Sequence, residues 1–175
     1  MSFLHTTLLP MRTRSQLRKN KPRRGSTSYR QARKVGVLFS MTNLDDYEAI
    51  RAFEKKLKSE GKEVVVLCYL PKNVENFHFH YDVFTVTDFS ATGKVKAANV
   101  ANFLEQKFDY LICLDRSPNI YLEYLLAASQ ARFRIGNYTD GKEALFELMI
   151  GFPEQASIAE LIQQIYHYTN EFNAN

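Results

Sequence analysis

The chain has 175 residues, of which 45% are hydrophobic and 24% charged, with seven glycines and five prolines. That is enough for one domain with its own core, too short for two ordinary domains with a linker, and too apolar for a disordered chain. The net charge of +4 conceals two segments of opposite sign: residues 1–34 hold ten Arg and Lys residues and no carboxylate, a charge of +10, while the remainder carries −6.

Residues 1–33 show no sustained helical or alternating period, and the KPRRGSTS run at residues 21–28 combines turn formers with self-repelling charge. This predicts an extended or mobile basic arm ahead of a body spanning residues 34–175, a boundary that would let the body fold without the arm. A short helix over residues 13–20, docked weakly through Leu8, Leu9, Met11 and Leu17, is the alternative for this stretch. Arg12, Arg14, Arg18, Lys19, Lys21, Arg23, Arg24, Arg30 and Arg33 make the arm a candidate contact for a polyanion: nucleic acid, ribosome or another phosphate-rich partner, including an anionic membrane. Tyr29 is the one aromatic in this basic stretch available to stack on a base. An inert solubilising tail and an Arg-rich presequence are the competing readings, the second weakened by the poor amphipathic period.

The body reads as alternating strands and helices. KVGVLFS (34–40) is a short apolar run closed by polar residues, the pattern of a strand buried on both faces. Asn43 or Thr42 caps a helix whose first turn carries Asp45, Asp46 and Glu48, and Gly61 ends it. EVVVLCYL (63–70) is the second strand, stopped by Pro71. A third strand is expected at residues 82–87, a helix at 95–107, a fourth strand at 108–114 and a helix at 120–130. Strands at 132–136 and 144–150 and a helix at 158–172, whose apolar residues recur near 3.6, complete the chain. The alternation predicts a three-layer, Rossmann-like α/β fold, doubly wound on a mainly parallel sheet of five or six strands. Cys68 and Cys113 both fall inside strands, which argues for a reducing compartment, and a disulfide between them requires neighbouring strands. No run reaches the roughly 18 apolar residues of a membrane span, and the expected location is cytoplasmic.

Ligands of such sheets bind at the carboxyl ends of the strands, here residues 40–43, 71–73, 87–93 and 115–119. The first of these turns contains no glycine, so it matches neither the dinucleotide fingerprint nor the phosphate loop. Ser40, Thr42, Asn43, Asp115, Arg116 and Ser117 are the candidate ligand-binding residues, with helix capping and ion pairing as the structural alternatives. His78 and His80 flank Phe79 in a spacing that can seed a metal site, but no third and fourth ligand is evident, so no metal is assigned. No nucleophile elbow and no Cys–His pairing can be read, and neither a catalytic residue nor a cofactor is assigned.

FDYLICLD, an Ala-Ala-Ser helix end and ARFRIG (residues 108–136) resemble the first domain of heptosyltransferase-like glycosyltransferases. Those enzymes bind the nucleotide-sugar donor mainly in a second domain, so the resemblance implies a fold rather than an activity. The whole layout, from the basic segment through VGVLF, EVVVLCYL and FDYLICLD to the Met-Ile segment, is similar to a family of short uncharacterised single-domain proteins of Bacteroidota, which implies a bacterial cytoplasmic protein. The leading expectation is a non-enzymatic binding protein whose arm engages a polyanion. A small-ligand binder or glycosyltransferase-like half-domain using the strand-end crevice, and an assembly subunit using the aromatic loop at residues 77–81, are the alternatives.

Overall fold

The computed structural model describes residues 3–25, 28–72, 74, 80–151, 153 and 155–171, with side chains from Thr6 onward. A helix α1 (Phe3–Lys19) precedes β1 (Lys34–Ser40), α2 (Leu44–Ser59), β2 (Glu63–Tyr69), β3 (Asp82–Phe84), α3 (Ala98–Glu105), β4 (Tyr110–Cys113), α4 (Ile120–Ala128), β5 (Phe133–Asn137), β6 (Leu148–Ile150) and α5 (Ile158–Glu171). The strands form one sheet in the order β3-β2-β1-β4-β5-β6, and every pairing is parallel. The expected Rossmann-like architecture is the one observed, and the strand order reverses between β1 and β4.

Period-2 alternation divides the strands between two cores. Val35, Val37 and Phe39 of β1 join Tyr110 and Ile112 of β4 in a core closed by Ile50, Phe53 and Leu57 of α2 and by Leu161 and Ile165 of α5. Leu38, Leu67 and Leu111 face the opposite way, into a core closed by Val100 and Phe103 of α3 and by α4. Cys68 and Cys113 fall in different cores, with β1 between their strands, and both are free thiols.

Residues 3–19 depart from the expected extended form and are helical, a longer version of the alternative helix expected over residues 13–20. α1 runs for 17 residues and packs against α4, with Leu9 fully buried, Thr13 buried and Leu17 half-buried, while Met11 is exposed. The reason lies in α4: IYLEYLLAA buries six of its nine residues, more than one face of a helix pressed on a sheet requires, so it needs a second cover. Arg18 and Lys19 in the last turn of α1 suit the negative end of its dipole.

Beyond α1 the chain is held by polar anchors. Asn20 Nδ2 donates to Ala127 O and Ser129 O, both at 3.0 Å. The Gly25 amide donates to Arg132 O at 3.0 Å. The buried Lys62 Nζ donates to Tyr29 O at 2.6 Å and Ala32 O at 2.7 Å. Tyr29 is only 6% exposed and donates its hydroxyl to Glu60 Oε2 at 2.5 Å, so the base-stacking role expected of it is excluded: its ring is core.

Smaller departures have local causes. The third strand stops at Phe84 because Thr85 and Asp88 form a capping box that turns the chain into a 3₁₀ turn, with Thr85 N donating to Asp88 Oδ2 at 2.7 Å. α3 begins at Ala98 rather than residue 95 because Val95 bridges Phe89, and Lys96 N donates to Asp88 O at 2.8 Å. A 3₁₀ turn at Glu143–Leu145 shortens the sixth strand to Leu148–Ile150.

Candidate functional site

Of the four strand ends that the sequence singles out, residues 87–93 are covered by α1: Arg12 Nε donates to Thr92 O, and Leu9 packs against Gly93. Asn73, in the second of them, lies outside the described residues. The remaining two, after β1 and β4, meet at the reversal of strand order. Ser40 Oγ donates to Asp115 Oδ2 at 2.6 Å and accepts from Asn119 Nδ2 at 2.9 Å. The Ser117 amide approaches Asp115 Oδ1 at 3.3 Å. Arg116 turns away from this group to pair with Asp46 Oδ2 at 3.0 Å, and reaches Ala156 O at 3.4 Å. Burial pushes the Asp115 carboxyl above the ordinary carboxylate range, against the opposing pull of the Ser40 hydroxyl, the local amides and Arg116.

Both helix N-termini at this reversal carry an asparagine side-chain cap. Asn43 Oδ1 accepts from Asp46 N at 2.8 Å at the start of α2. Asn119 Oδ1 accepts from Tyr121 N at 2.9 Å and from Leu122 N at 3.4 Å at the start of α4. With Asp45 and Asp46 in the first turn of α2 as well, the end that would otherwise attract a phosphate already holds negative charge. Of the candidate ligand residues, Ser40, Thr42, Asp115, Arg116 and Ser117 line one open cleft of about 400 Å³, and Asn43 serves α2 as its cap. On the α4 side of Asp115 lies a small pocket of about 40 Å³ lined in part by Asn137, whose Oδ1 is buried without a hydrogen-bond partner among the described residues.

The amino ends of the strands carry the opposite character. The Arg33 and Lys34 amides donate to Asp109 Oδ2 at 2.8 and 3.1 Å just ahead of β1, and Gly25 is bonded ahead of β5. Gly25 therefore lies ahead of β5 and Arg33 ahead of β1, two strand spacings or about 10 Å apart. Arg18, Lys19, Lys21, Arg23, Arg30 and Arg33 are exposed, and among the described residues none of their side chains has a carboxylate partner. Arg14 is exposed as well, but it borders a pocket with Glu123, Gly141 and Lys142, beyond the opposite ends of β4 and β5.

Two members of the expected basic set are committed elsewhere. Arg12 is bonded to Thr92 O. Arg24 donates to Ala131 O and lies 3.8 Å from Glu147; burial, helped by the nearby Arg134 charge, lowers its pKa to about 10. Neighbouring carboxylates are also engaged. Glu63 pairs with Lys34 at 2.6 Å, Glu60 accepts from Tyr29 and Tyr166, and Glu147 holds the buried Arg134 through two bonds of 2.8 and 3.0 Å.

Residues 7–172 match the model of DUF6913, described as a family of unknown function. The chain belongs to the DUF6913 family. No curated protein and no solved structure matches it. The likeness to heptosyltransferase-like enzymes and the bacterial assignment therefore rest on the sequence motifs alone.

Sequence reasoning missed several residues of this DUF6913 chain. Lys107 and Arg132 are exposed at the starts of β4 and β5 and extend the basic rim, but they sit in the acidic part of the chain, where a segment count hides them. Asp46 was legible only as a first-turn carboxylate, and nothing in the sequence links Asn137 to Asp115. His78 lies outside the described residues and His80 is exposed; among the described residues no three His, Cys, Asp or Glu side chains are grouped to hold a metal. The aromatic loop proposed for assembly falls mostly outside the described residues, while Tyr81 is buried and bonded to Glu54 at 2.8 Å. No described helix is long and apolar enough to cross a membrane.

Proposed function

We propose that this protein is a non-enzymatic binding protein that holds the phosphate backbone of a nucleic acid on the basic rim at the amino ends of its strands. The observation that carries this reading is a set of six exposed Arg and Lys side chains, Arg18, Lys19, Lys21, Arg23, Arg30 and Arg33, with no carboxylate partner among the described residues, while the carboxylates Glu60, Glu63, Asp109 and Glu147 are each engaged by Tyr, Lys, backbone or Arg partners. A surface of that kind attracts phosphates and releases their counterions. Tyr29 is buried, so the basic segment contributes no ring to stack between bases, and recognition is of charge rather than sequence.

The test uses the full chain with a labelled RNA duplex, followed by fluorescence anisotropy across a salt series. Engagement of four to six phosphates weakens Kd about 10²–10³-fold between about 50 and 200 mM salt, and an unlabelled duplex of unrelated sequence competes equally. Replacing Arg18, Lys19, Lys21, Arg23 and Arg30 with Glu abolishes binding while the circular dichroism spectrum stays unchanged, because exposed side chains cost about 0.5 kcal/mol or less each. Absence of binding at the lowest salt, or binding indifferent to salt, overturns the reading and leaves a solubilising surface.

A further inference from the structure

At the other end of the sheet, we propose a separate site for a neutral, hydroxyl-rich small molecule, such as the pentose of a nucleoside, bound between β1 and β4 with Asp115 as its principal acceptor. The cleft of about 400 Å³ is within the range of small-ligand sites. Leu114 and Ile158 give it apolar wall, and Ser40, Thr42 and residues 115–117 give it polar edge. It opens where the chain leaves β1 for α2 on one face and β4 for α4 on the other, so no crossing connection fills it.

Three observations define the chemistry. First, Ser40 spends its hydroxyl proton on Asp115 and takes one from Asn119, so the network is oriented and its end point is a carboxylate with lone pairs to spare. A ligand completes it by donating, as a hydroxyl does. Second, phosphate is disfavoured: Asn43 and Asn119 cap both helix N-termini, Asp45 and Asp46 stand in the first turn of α2, and Arg116 is already paired with Asp46. Third, Asn137, whose Oδ1 is a buried acceptor with no partner among the described residues, lines a small pocket of about 40 Å³ that also borders Asp115 and Ser117. A buried acceptor left unbonded is costly, and a pocket of this size admits a single hydroxyl group or a water. Two acceptors at the ends of neighbouring strands, Asp115 after β4 and Asn137 in β5, suit a ligand that offers more than one hydroxyl. A cationic amine is less well matched, because the Arg116 guanidinium shares the cleft.

This site does not depend on the basic rim, and salt separates the two. Thermal melting and calorimetric titration of the full chain are run with D-ribose, adenosine and uridine, with the matching 5′-monophosphates, and with spermidine as a cationic control. The expected result is saturable binding of a neutral probe, raising Tm by about 3–5 °C for each tenfold excess over Kd and unaffected by salt. Asp115→Asn weakens it at least tenfold, and Asn137→Leu, which fills the small pocket, weakens it without lowering the Tm of the free protein. Asn137→Ser, which keeps a polar group, retains binding and serves if the leucine variant fails to fold. No response to any neutral probe, or a response confined to the phosphorylated or cationic ones, overturns the proposal.

Discussion

The two ends of the parallel sheet solve opposite electrostatic problems. Where the strands begin, the carboxylates Glu60, Glu63, Asp109 and Glu147 are engaged by Tyr, Lys, Arg or backbone partners, and exposed Arg and Lys side chains face solvent without a carboxylate among the described residues. Where the strands finish between β1 and β4, Arg116 is paired with Asp46, and the half-buried Asp115 carboxylate accepts from the Ser40 hydroxyl and the local amides of Arg116 and Ser117. One end thus offers positive charge at the surface and the other a carboxylate acceptor in a cleft. The difference teaches that net charge, which is small here, says little about what a molecule of this fold can meet.

The largest expected effect comes from asking whether the basic rim can be separated from the body at all. Deleting residues 1–33 removes Leu9, Tyr29 and Ala32 from the two cores and uncovers α4. At about 1.5–3 kcal/mol for each large buried side chain, with the half-buried leucines added, the loss is roughly 6–8 kcal/mol, comparable to the whole stability of many domains. The truncated chain is expected to aggregate or to lose its cooperative melt by circular dichroism. A stable, monomeric truncation would show the arm to be an accessory and restore the simpler division at Lys34.

Next in size is Glu147→Gln, which tests whether the engagement of the carboxylates is what frees the cations. Arg134 is 5% exposed and has Glu147 as its carboxylate partner, backed by the carbonyls of Leu126 and Ala144. Neutralising Glu147 leaves that guanidinium buried without compensation, and a loss of roughly 3 kcal/mol in urea denaturation is expected. A loss below about 0.5 kcal/mol would mean that Glu147 serves the surface, and that the rim is less basic than its exposed side chains suggest.

Much of this was legible in the residues. KVGVLFS and EVVVLCYL are too apolar and too short to be anything but strands buried on both faces, and Asn43 with two carboxylates after it announces a helix start. α1 was legible only as the short alternative helix at residues 13–20, because Leu9 is the one fully buried leucine among its described side chains; its full length answers the apolar circumference of α4, more than 100 residues away, which local periodicity does not carry. Tyr29 was misread for the same reason. Its neighbours in sequence are basic and exposed, but its hydroxyl and ring are claimed by Glu60, Tyr166 and Lys62. Ser40 and Asp115 could be nominated from their strand ends, yet their contact, and the role of Asn119 in orienting it, depend on the register between β1 and β4.

The smallest effect bears on the crevice end and fixes its sign. Burial raises the Asp115 pKa in the folded protein above its unfolded value, so the fold favours the neutral acid. The stability this contributes is complete below the unfolded pKa, near 3.8, and is lost as pH rises through the folded value. Asp115→Asn removes the titration while keeping an acceptor for Ser40. Urea denaturation of both proteins in steps upward from about pH 3.5 should therefore show a constant offset at the acid end, and then a native protein that falls progressively behind the variant as the carboxylate ionises. The opposite slope, with the native protein gaining on the variant, would mean that Ser40 and Arg116 already stabilise the charged form. Asp115 would then have no unmet demand for a donor, and the contrast between a cation-rich rim and an acceptor-rich cleft would reduce to the rim alone.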